Sequence, residues 1–405
     1  MLLFLVKAGI AVPAFSQSGS VITAIRVTGL RQTKAYVAEE PLRRFIGQEA
    51  AVIDTDQVKA AVIDQGILEP VSVTVEDDAG GTGKTLVVEV REKWTIFPVP
   101  VFFAGSGEIS AGLFFFNANA FGLNHKMAAG GMYRSEGWLA TALYIAPPGG
   151  PRHFGWIASV FFSEGEQRNS DANDTTLRRF NTRSVTAGIS PQYQISNALS
   201  AAFHVSYTNI MIPDTENPVR EPDSGAQFIQ LGPEFSIRKT GWDGYLLSEE
   251  SASVKYNLIQ DIASPSWHSF SFRGVYEKSL VPGFRVSVRG GGLSRPGAPP
   301  LLESGPGDAE VAILPGSFSA RHYAGLSLGL EKYLYRFSLG TVSLLGAWQM
   351  TYSNGPLLGN RFDYGVMGSL RFYMSRLAIP AVGMGVAYNV PADYFQFSFS
   401  IGMTL

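Results

Sequence analysis

The chain contains no cysteine among its 405 residues. Disulfide bonds, thiolate nucleophiles and cysteine-ligated metal sites are therefore excluded. Charged residues are scarce as well, because Asp, Glu, Lys and Arg make up 16% of the chain, against roughly 25% in an ordinary soluble domain. The formal net charge of -2 supplies no basic surface for a phosphate backbone, so we expect no nucleic-acid partner.

Long apolar runs are also missing beyond the N-terminus, where no stretch approaches the ~20 apolar residues of a membrane-spanning helix. The N-terminus has a shorter run from Leu2 to Phe15, with Lys7 as its only basic residue. It ends in the small-x-small sequence AFS, a pattern that signal peptidase accepts. We interpret residues 1–16 as a secretory signal peptide, with a buried first strand as the alternative. An exported chain of this composition can span a membrane only as a β-barrel.

Recognisable catalytic and metal-binding motifs are absent from the sequence. Its five histidines lie on different predicted strands or loops, without a spacing that pairs ligands on one element, so no metal or cofactor is expected. No G-x-S-x-G elbow occurs, and the carboxylates form no acid–base pair. We therefore predict that the protein is not an enzyme; a Ser–His or Asp–His site assembled from distant strands is the alternative. The histidines are His125, His153, His204, His268 and His322.

Glycine and aromatic residues are plentiful, at 44 residues and 12% of the chain, which favours many strands and turns. A small α+β domain is predicted over residues 20–93, in the order β-α-α-β-β. Its strands show period-two alternation and its helices show apolar residues at helical spacing. The strands are expected near 20–29, 71–75 and 86–90, and the helices near 33–47 and 54–66, with Asp54 or Thr55 as the N-cap of the second helix.

The segment from Asp78 to Thr85 (DAGGTGKT) nearly matches a phosphate-binding loop. Asp78 stands where that motif requires its first glycine. Strands are predicted on both sides, whereas such a loop joins a strand to a helix. We interpret the segment as a hairpin turn.

Residues 96–405 are a succession of alternating segments separated by Gly, Pro, Asn and Asp, as a lipid-facing antiparallel barrel requires. The last segment is the clearest, because Phe395, Phe397 and Phe399 share one face and polar or small residues occupy the other. A soluble β-sandwich rarely carries so many aromatic residues and so little charge. The sequence thus predicts a 16-stranded antiparallel transmembrane β-barrel; fourteen strands and a sandwich are the alternatives.

The expected connections between these strands are unequal in length. Long ones fall at 164–177, 211–225 and 295–319, all at the barrel end opposite the start of the first strand. The segment 239–249 fits the strand pattern poorly. The predicted strands are 96–105, 107–117, 124–134, 137–146, 151–163, 178–190, 198–210, 226–238, 250–260, 266–279, 284–294, 320–335, 341–353, 362–374, 377–390 and 394–405.

Charged residues on the predicted barrel strands are few. Arg285, Arg289, Glu331 and Arg371 fall at positions that face the lumen in the predicted alternation. We expect them to form a solvated, mutually paired lining.

Three short motifs in the first domain resemble a POTRA domain: VTGL at 27–30, DQG at 64–66 and EKW at 92–94. The resemblance implies a periplasmic domain that receives substrate segments by adding a strand to its sheet edge. Unpaired backbone groups along such an edge make this addition favourable. A mere spacer is the alternative.

The barrel in turn resembles the BamA-type family of outer-membrane assembly and translocation proteins, which join POTRA domains to a bacterial surface antigen barrel. NANAFGLN at 117–124 is similar to the family's inner turn, YGVMGSLRF at 364–372 to its glycine-rich penultimate region, and FSIGMTL at 399–405 to its closing strand. The resemblance implies a place in the bacterial outer membrane, with the first domain in the periplasm. Unfolded outer-membrane or exported proteins are the implied substrates, and the lipid bilayer and periplasmic accessory proteins the further partners.

Arg321, His322 and Tyr323 stand where the family has an Arg-Gly-Phe/Tyr loop tip that folds into the lumen. His322 replaces the glycine, and the segment 343–347 lacks the aspartate that normally faces the arginine. Arg321 is therefore expected either to lack its usual partner or to use Glu331 or Gln349 instead. A solvated loop arginine is the alternative.

A weak seam between the first and last barrel strands is predicted. Prolines cannot donate ladder hydrogen bonds, and glycines loosen a strand. The seam residues are Pro98, Pro100, Phe103 and Gly105 on the first strand, and Phe397, Phe399 and Ile401 on the last.

The resemblance and the seam together imply a factor that assembles or inserts outer-membrane proteins. A translocation pore of the two-partner-secretion type is the first alternative. Such pores usually carry two POTRA domains and a plug helix, for which this chain has no room. A barrel-type outer-membrane enzyme or a passive porin is the second alternative.

Overall fold

A computed structural model describes residues 20–78, 83–105, 108–148, 153–243, 246–262, 265–303, 305, 311–337, 340–374 and 382–401. The predicted signal peptide at 1–16 lies outside these residues. The chain divides into two compact units: the first ends at Trp94 and also includes Phe121–Asn124, and the second consists of Thr95–Ala120 and the chain from His125 onward. Within the described ranges, no helix has the length and apolar character needed to cross a membrane.

The N-terminal unit is a three-stranded sheet with two α-helices, in the predicted element order. The strand order in the sheet is β1-β3-β2, with β1 parallel and β2 antiparallel to the central strand. The first helix is shorter than predicted, because Pro41 lacks an amide hydrogen and the chain continues as a 3-10 helix. The elements are β1 (Ile22–Thr28), α1 (Ala35–Glu39), 3-10 helices at Glu40–Phe45 and Ala50–Val52, α2 (Thr55–Ile63), β2 (Leu68–Asp77) and β3 (Lys84–Glu92).

Two local predictions in this unit are confirmed. Asp54 caps α2, since its side chain accepts a hydrogen bond from the backbone N–H of Asp56 at 2.9 Å. The segment that resembled a phosphate-binding loop joins two antiparallel strands, and the N–H of Asp78 donates to the carbonyl oxygen of Gly83 at 3.0 Å. It is therefore a hairpin connection.

A single carboxylate holds the loop that follows β1. The Oε1 atom of Glu92 accepts hydrogen bonds from the backbone N–H groups of Arg31, Gln32 and Thr33, at 3.0, 3.0 and 2.7 Å. Partial burial disfavours the charge, but these donors outweigh it and hold the pKa of Glu92 below its usual value. Gly29 begins the loop with a φ of 86°, and a Cβ there would lie 2.0 Å from a carbonyl oxygen of β3. The loop therefore requires glycine at its start and a carboxylate beside it.

Replacing Glu92 with Gln is expected to destabilise the N-terminal unit by about 1–2 kcal/mol, because an amide is a weaker acceptor than a carboxylate. Since the pKa is lower in the folded state, the contribution is complete above the unfolded pKa of about 4.3 and is lost as the pH falls through the folded pKa. Hydrogen exchange of β1 and β3 in the full chain, corrected for intrinsic rates, measures both effects. The control is Glu76→Gln, an exposed carboxylate on β2. Equal effects of the two substitutions would contradict the assignment.

The second unit is a closed barrel of sixteen strands, as predicted. Each strand pairs antiparallel with the next in sequence, and the last returns to the first. The strands are β4 (Ile96–Gly105), β5 (Glu108–Ala120), β6 (His125–Arg134), β7 (Gly137–Ala146), β8 (Phe154–Ser170), β9 (Thr176–Gln194), β10 (Leu199–Met211), β11 (Ala226–Asp243), β12 (Leu246–Asp261), β13 (Trp267–Val281), β14 (Phe284–Ser294), β15 (His322–Phe337), β16 (Gly340–Gly355), β17 (Gly359–Met374), β18 (Val382–Asn389) and β19 (Tyr394–Ile401), with a 3-10 helix at Pro300–Leu302 before β15.

Two stretches predicted to be irregular are strands instead. Residues 164–170 and 176–177 extend β8 and β9 into a long hairpin, paired from Glu164↔Arg183 onward. The segment 239–243 likewise pairs with 246–250 as part of β11 and β12. In both, ion pairs such as Arg183–Glu164 and Arg238–Glu249 accompany the backbone pairing. The apolar–polar alternation from which a barrel strand is predicted is missing from both segments.

The long connections 212–225 and 295–321 are confirmed, and both follow even-numbered strands. They therefore lie at the barrel end opposite the start of β4. The strands predicted at 377–390 and 394–405 are described over Val382–Asn389 and Tyr394–Ile401. Their remaining residues fall outside the described ranges.

The strand register fixes which side chains face the lumen. Along β16, Ser343, Gln349 and Ser353 are buried, whereas Leu344, Trp348 and Tyr352 are exposed. Partners across each ladder share a face, so this alternation carries from strand to strand around the ring. Around β16, this alternation places polar residues in the lumen and apolar residues on the outer surface.

Candidate functional site

The strand pair that closes the barrel is the shortest in the part of the ring that the structure describes. Its ladder consists of Ser398↔Gly105, Phe399↔Ala104 and Ser400↔Phe103. The neighbouring pair of β18 and β19 runs through eight positions, from Val382↔Ile401 to Asn389↔Tyr394. Among the described residues, the closing junction therefore has the fewest backbone pairs.

The predicted seam residues are distributed around this junction. Phe103, Gly105 and Phe399 take part in the closing ladder itself. The prolines of β4, Pro98 and Pro100, pair with β5. On β19, Phe397 and Ile401 pair with β18. Across the junction, the ring of Phe102 contacts that of Phe399 edge-on at 6.0 Å.

The predicted loop tip is part of a strand. His322 and Tyr323 are the first residues of β15 and pair with Ser294 and Leu293 of β14. Tyr323 is buried on the lumen face, while the His322 ring turns the other way and lies 2.8 Å from the hydroxyl of Ser294. Arg321 directly precedes the strand. The segment does not form a tip, because β14 and β16 both supply backbone partners for it.

The partners expected for Arg321 bind other groups. Glu331 is bonded to Arg285, and Gln349 accepts a hydrogen bond from the backbone N–H of Ala312 at 2.8 Å. The charge of Arg321 acts instead on Glu303, in the connection before β15. The structure thus brings Arg321 near a carboxylate that the sequence did not single out.

A network of charges lines the lumen near the start of β14, as the sequence predicts, but it is buried rather than solvated. The side chains of Arg285 and Glu331 are 3% and 0% exposed. Arg285 Nη1 lies 2.7 Å from Glu277 Oε2, and its Nε donates to Glu331 Oε2 at 3.1 Å. Further members are Arg289 and Arg371, and the hydroxyl groups of Ser287, Ser343 and Tyr373.

The connection between β14 and β15 crosses the mouth of the lumen. The N–H of Ala312 donates to Gln349 on β16, and Asn169 on β8 donates to the hydroxyl of Ser319 at 2.6 Å. Strands eight positions apart in a ring of sixteen lie on opposite sides, so these two anchors span the barrel. Between them, Ile313 and Phe318 are 1% exposed and pack in one apolar cluster with residues of β14, β15 and β18.

A buried ion pair anchors the first part of the same connection. Arg178 Nη1 on β9 lies 3.3 Å from Glu303 Oε2, with the two side chains 6% and 4% exposed. Arg178 also donates to the carbonyl oxygen of Pro300 at 2.8 Å. Beside it, Leu301 packs in a second apolar cluster with Phe180 and Trp267. Polar and apolar contacts together hold the connection against the wall.

A series of hydrogen-bonded polar side chains on three consecutive strands was not predicted from the sequence. Ser190 and Nδ1 of His204 are 2.7 Å apart, and Nε2 of His204 lies 2.6 Å from Glu234 Oε2. The alternation around residue 204 indicates an inward His204. Its partners depend on the register between strands, which the sequence does not specify.

No protein-family model and no curated protein sequence matches the chain. BamA from Haemophilus ducreyi lacking POTRA domains 1-3 matches with a TM-score of 0.64 at 13% identity, over 95% of this chain and 85% of that one. CdiB from Acinetobacter baumannii matches with 0.65 at 11%, over 94% and 73%. CdiB from Escherichia coli matches with 0.65 at 11%, over 95% and 77%.

The chain has a BamA-type barrel fold. BamA and CdiB resemble it to the same degree, so the likeness gives the fold and leaves two activities to be compared.

The buried charge network should stabilise this BamA-type barrel. Glu331→Gln is expected to cost about 3 kcal/mol, because it leaves buried arginines without their carboxylate. Urea unfolding of the purified barrel in lipid vesicles, read as the shift in gel mobility between folded and unfolded protein, measures the loss. Glu250→Gln is the matched control, since this half-exposed carboxylate lies 4.0 Å from Lys278 and should contribute less than about 1 kcal/mol. A Glu331→Gln barrel as stable as this control would rule out the role.

The Arg178–Glu303 pair should keep the connection across the lumen of the BamA-type barrel. Arg178→Met removes the cation bonded to a buried carboxylate, so we expect the connection to detach and planar-bilayer conductance to rise several-fold. The double variant Arg178→Met/Glu303→Leu restores a neutral, apolar contact and should return the conductance to the level of the unaltered protein. Equal conductance in all three proteins would show that the ion pair does not hold the connection.

Proposed function

We propose that this protein assembles other proteins into the bacterial outer membrane. A periplasmic POTRA-type domain, residues 20–93, delivers unfolded outer-membrane or exported proteins to the barrel. The barrel then opens between β19 and β4, and the substrate adds its strands at that edge. The observation that carries the proposal is the closing ladder of three pairs among the described residues.

The energetics of backbone groups in lipid favour this route. Each unpaired N–H or C=O group in hydrocarbon costs several kcal/mol, so opening any ladder is expensive in proportion to its length. By the pairs that the structure describes, the junction of β19 and β4 is the least expensive to open. A substrate strand that pairs with β4 replaces the lost partners and gains backbone bonds unavailable elsewhere in the bilayer. Pro98 and Pro100 further reduce what β4 can donate.

The N-terminal unit supports the delivery step. In its sheet of order β1-β3-β2, the described residues of β2 pair with β3 along one edge only, whereas the outer edge of β1 is partly occupied because Ile22 bonds to Gly47 and Gln48. An extended segment of a client, or of a periplasmic accessory protein, can extend such a sheet by backbone pairing. The interpretation of residues 1–16 as a signal peptide agrees with export of the chain to the periplasm.

The connection across the lumen favours a lateral route over an axial one. Anchors on opposite walls and two apolar clusters hold it in the mouth of the barrel. A substrate that travels along the barrel axis has to displace it, whereas one that leaves through the junction of β19 and β4 does not.

A translocation pore is the second candidate function. The observation in its favour is the equal likeness to CdiB, with TM-scores of 0.65 for both CdiB structures. This function requires the connection to leave the lumen so that one dedicated exported protein can pass.

A disulfide across the junction tests the proposal, because the chain has no cysteine of its own. Ala104 and Phe399 are direct partners, so Ala104→Cys/Phe399→Cys places two thiols within bonding reach. In cells depleted of the unaltered protein, the oxidised double variant should fail to support outer-membrane protein assembly. Reduction should restore it. A mass-spectrometric census of outer-membrane and exported proteins is the readout.

Leu344→Cys/Leu370→Cys is the matched control, since these residues pair directly in the long ladder of β16 and β17. Its disulfide should leave assembly intact. Full assembly with the junction locked would overturn the lateral route. Loss of a single exported protein on depletion, with outer-membrane proteins unchanged, would instead favour the translocation pore.

A further inference from the structure

The inner wall of the barrel changes character from one side to the other. Phe161 on β8 pairs with Thr186 on β9, whose hydroxyl lies 3.0 Å from that of the buried lumen residue Thr208. Phe161 therefore faces the lumen. The same register leads from Phe161 through β7 and β6 to Phe114 on β5, so that residue faces the lumen as well.

The lumen face of β4 to β8 is largely apolar. We call this surface the apolar wall and define it by six residues. Phe116 and Phe161 are 36% and 38% exposed, so the surface is open to the lumen. Phe116 also stacks on Phe97 of β4, with ring centroids 6.0 Å apart. The six residues are Val99, Phe114, Phe116, Leu139, Leu143 and Phe161.

The opposite side of the lumen is charged. Strands β12 to β16 lie eight positions from β4 to β8 in the ring, and therefore face the apolar wall. They carry Glu277, Arg285 and Glu331 of the buried network, and Lys255 and Arg273 line a polar cavity further along. The lumen is thus amphipathic across its width.

We propose that the apolar wall binds the apolar face of an amphipathic β-strand of the substrate before that strand leaves the barrel. Such a strand has apolar side chains on one face and polar ones on the other. Between the two sides of the lumen, such a strand places its apolar face against β4 to β8 and its polar face toward the charged residues. A lipid acyl chain has no polar side to match the charged wall. This inference rests on the proposed function, whose substrates are outer-membrane strands.

The position of the apolar wall relative to the junction supports the same occupant. The wall begins on β4, the strand at which the barrel is proposed to open. A strand held there lies beside the β4 edge, and its apolar face is shielded from lumen water until it meets lipid. The apolar wall thus provides a binding site for the substrate strand next to the junction of β19 and β4.

A short peptide serves as the probe. Residues 268–276 of β13 (HSFSFRGVY) alternate aromatic or small residues with polar or charged ones over most of their length. A rearranged peptide of the same composition, with its apolar residues contiguous, is the control. A photo-crosslinking residue replaces Leu143 on the apolar wall, or Ala142, its neighbour on the outer face, in the full chain in lipid vesicles. We expect at least tenfold more crosslinking of the alternating peptide at position 143 than of the rearranged one, and none at 142.

Crosslinking of position 143 to lipid alone, or equally to both peptides, would overturn the inference. A second measurement uses Leu143→Asn/Phe161→Asn, which should weaken peptide binding at least tenfold, with Ser159→Asn on the same lumen face as the control. Gel mobility shows whether each variant folds. Unchanged binding, combined with an assembly block by the junction disulfide, would refute the apolar wall alone. Binding at the wall without an effect of that disulfide would refute the proposed function alone.

Discussion

The continuous register of backbone pairs is the constraint on which the rest of this barrel depends. Because side chains alternate with a period of two, the ladder decides for every residue whether it faces the lumen or the outside. On β16 this gives a buried polar row and an exposed apolar row. The same register aligns Arg285 with Glu331 across β14 and β15, and makes Phe161 a lumen residue on β8. Between β19 and β4, the described part of the ladder has three pairs, the fewest among the described strand pairs.

The lumen is occupied in three different ways. A connection held by Arg178 and Glu303 crosses one mouth, and a buried charge network fills the wall around Arg285. An apolar wall covers the remaining side, next to the junction. Buried ion pairs contribute little net stability, because desolvation offsets much of the attraction, but losing one partner is costly. The charges therefore fix positions within the barrel more than they add to its free energy of unfolding, while the apolar wall and the junction suit a moving polypeptide.

Much of the fold could be predicted from local patterns. Alternation over the last 300 residues gave the strand number, and Asp54 with its following apolar residues gave the second helix. Failures occurred where pairing extended beyond the apolar pattern, as in the hairpin of β8 and β9. Of the candidate site, Glu331 and Arg285 were identified as inward and paired. Glu303, Glu277 and the chain from Ser190 to Glu234 were not, because their contacts depend on the register between strands and, for Glu303, on Arg178 far away in the sequence.

The sequence by itself determined the class of structure: a cysteine-free, charge-poor chain with many alternating segments can bury its backbone groups in lipid only by closing a barrel. It also determined where two of the three predicted long connections fall, after β10 and after β14. Tertiary structure alone decided that His322 and Tyr323 begin a strand, that the connection before it crosses the lumen, and that one inner wall is apolar and the opposite one charged. Those features depend on which strands stand side by side and which stand across the ring, and ring closure sets both.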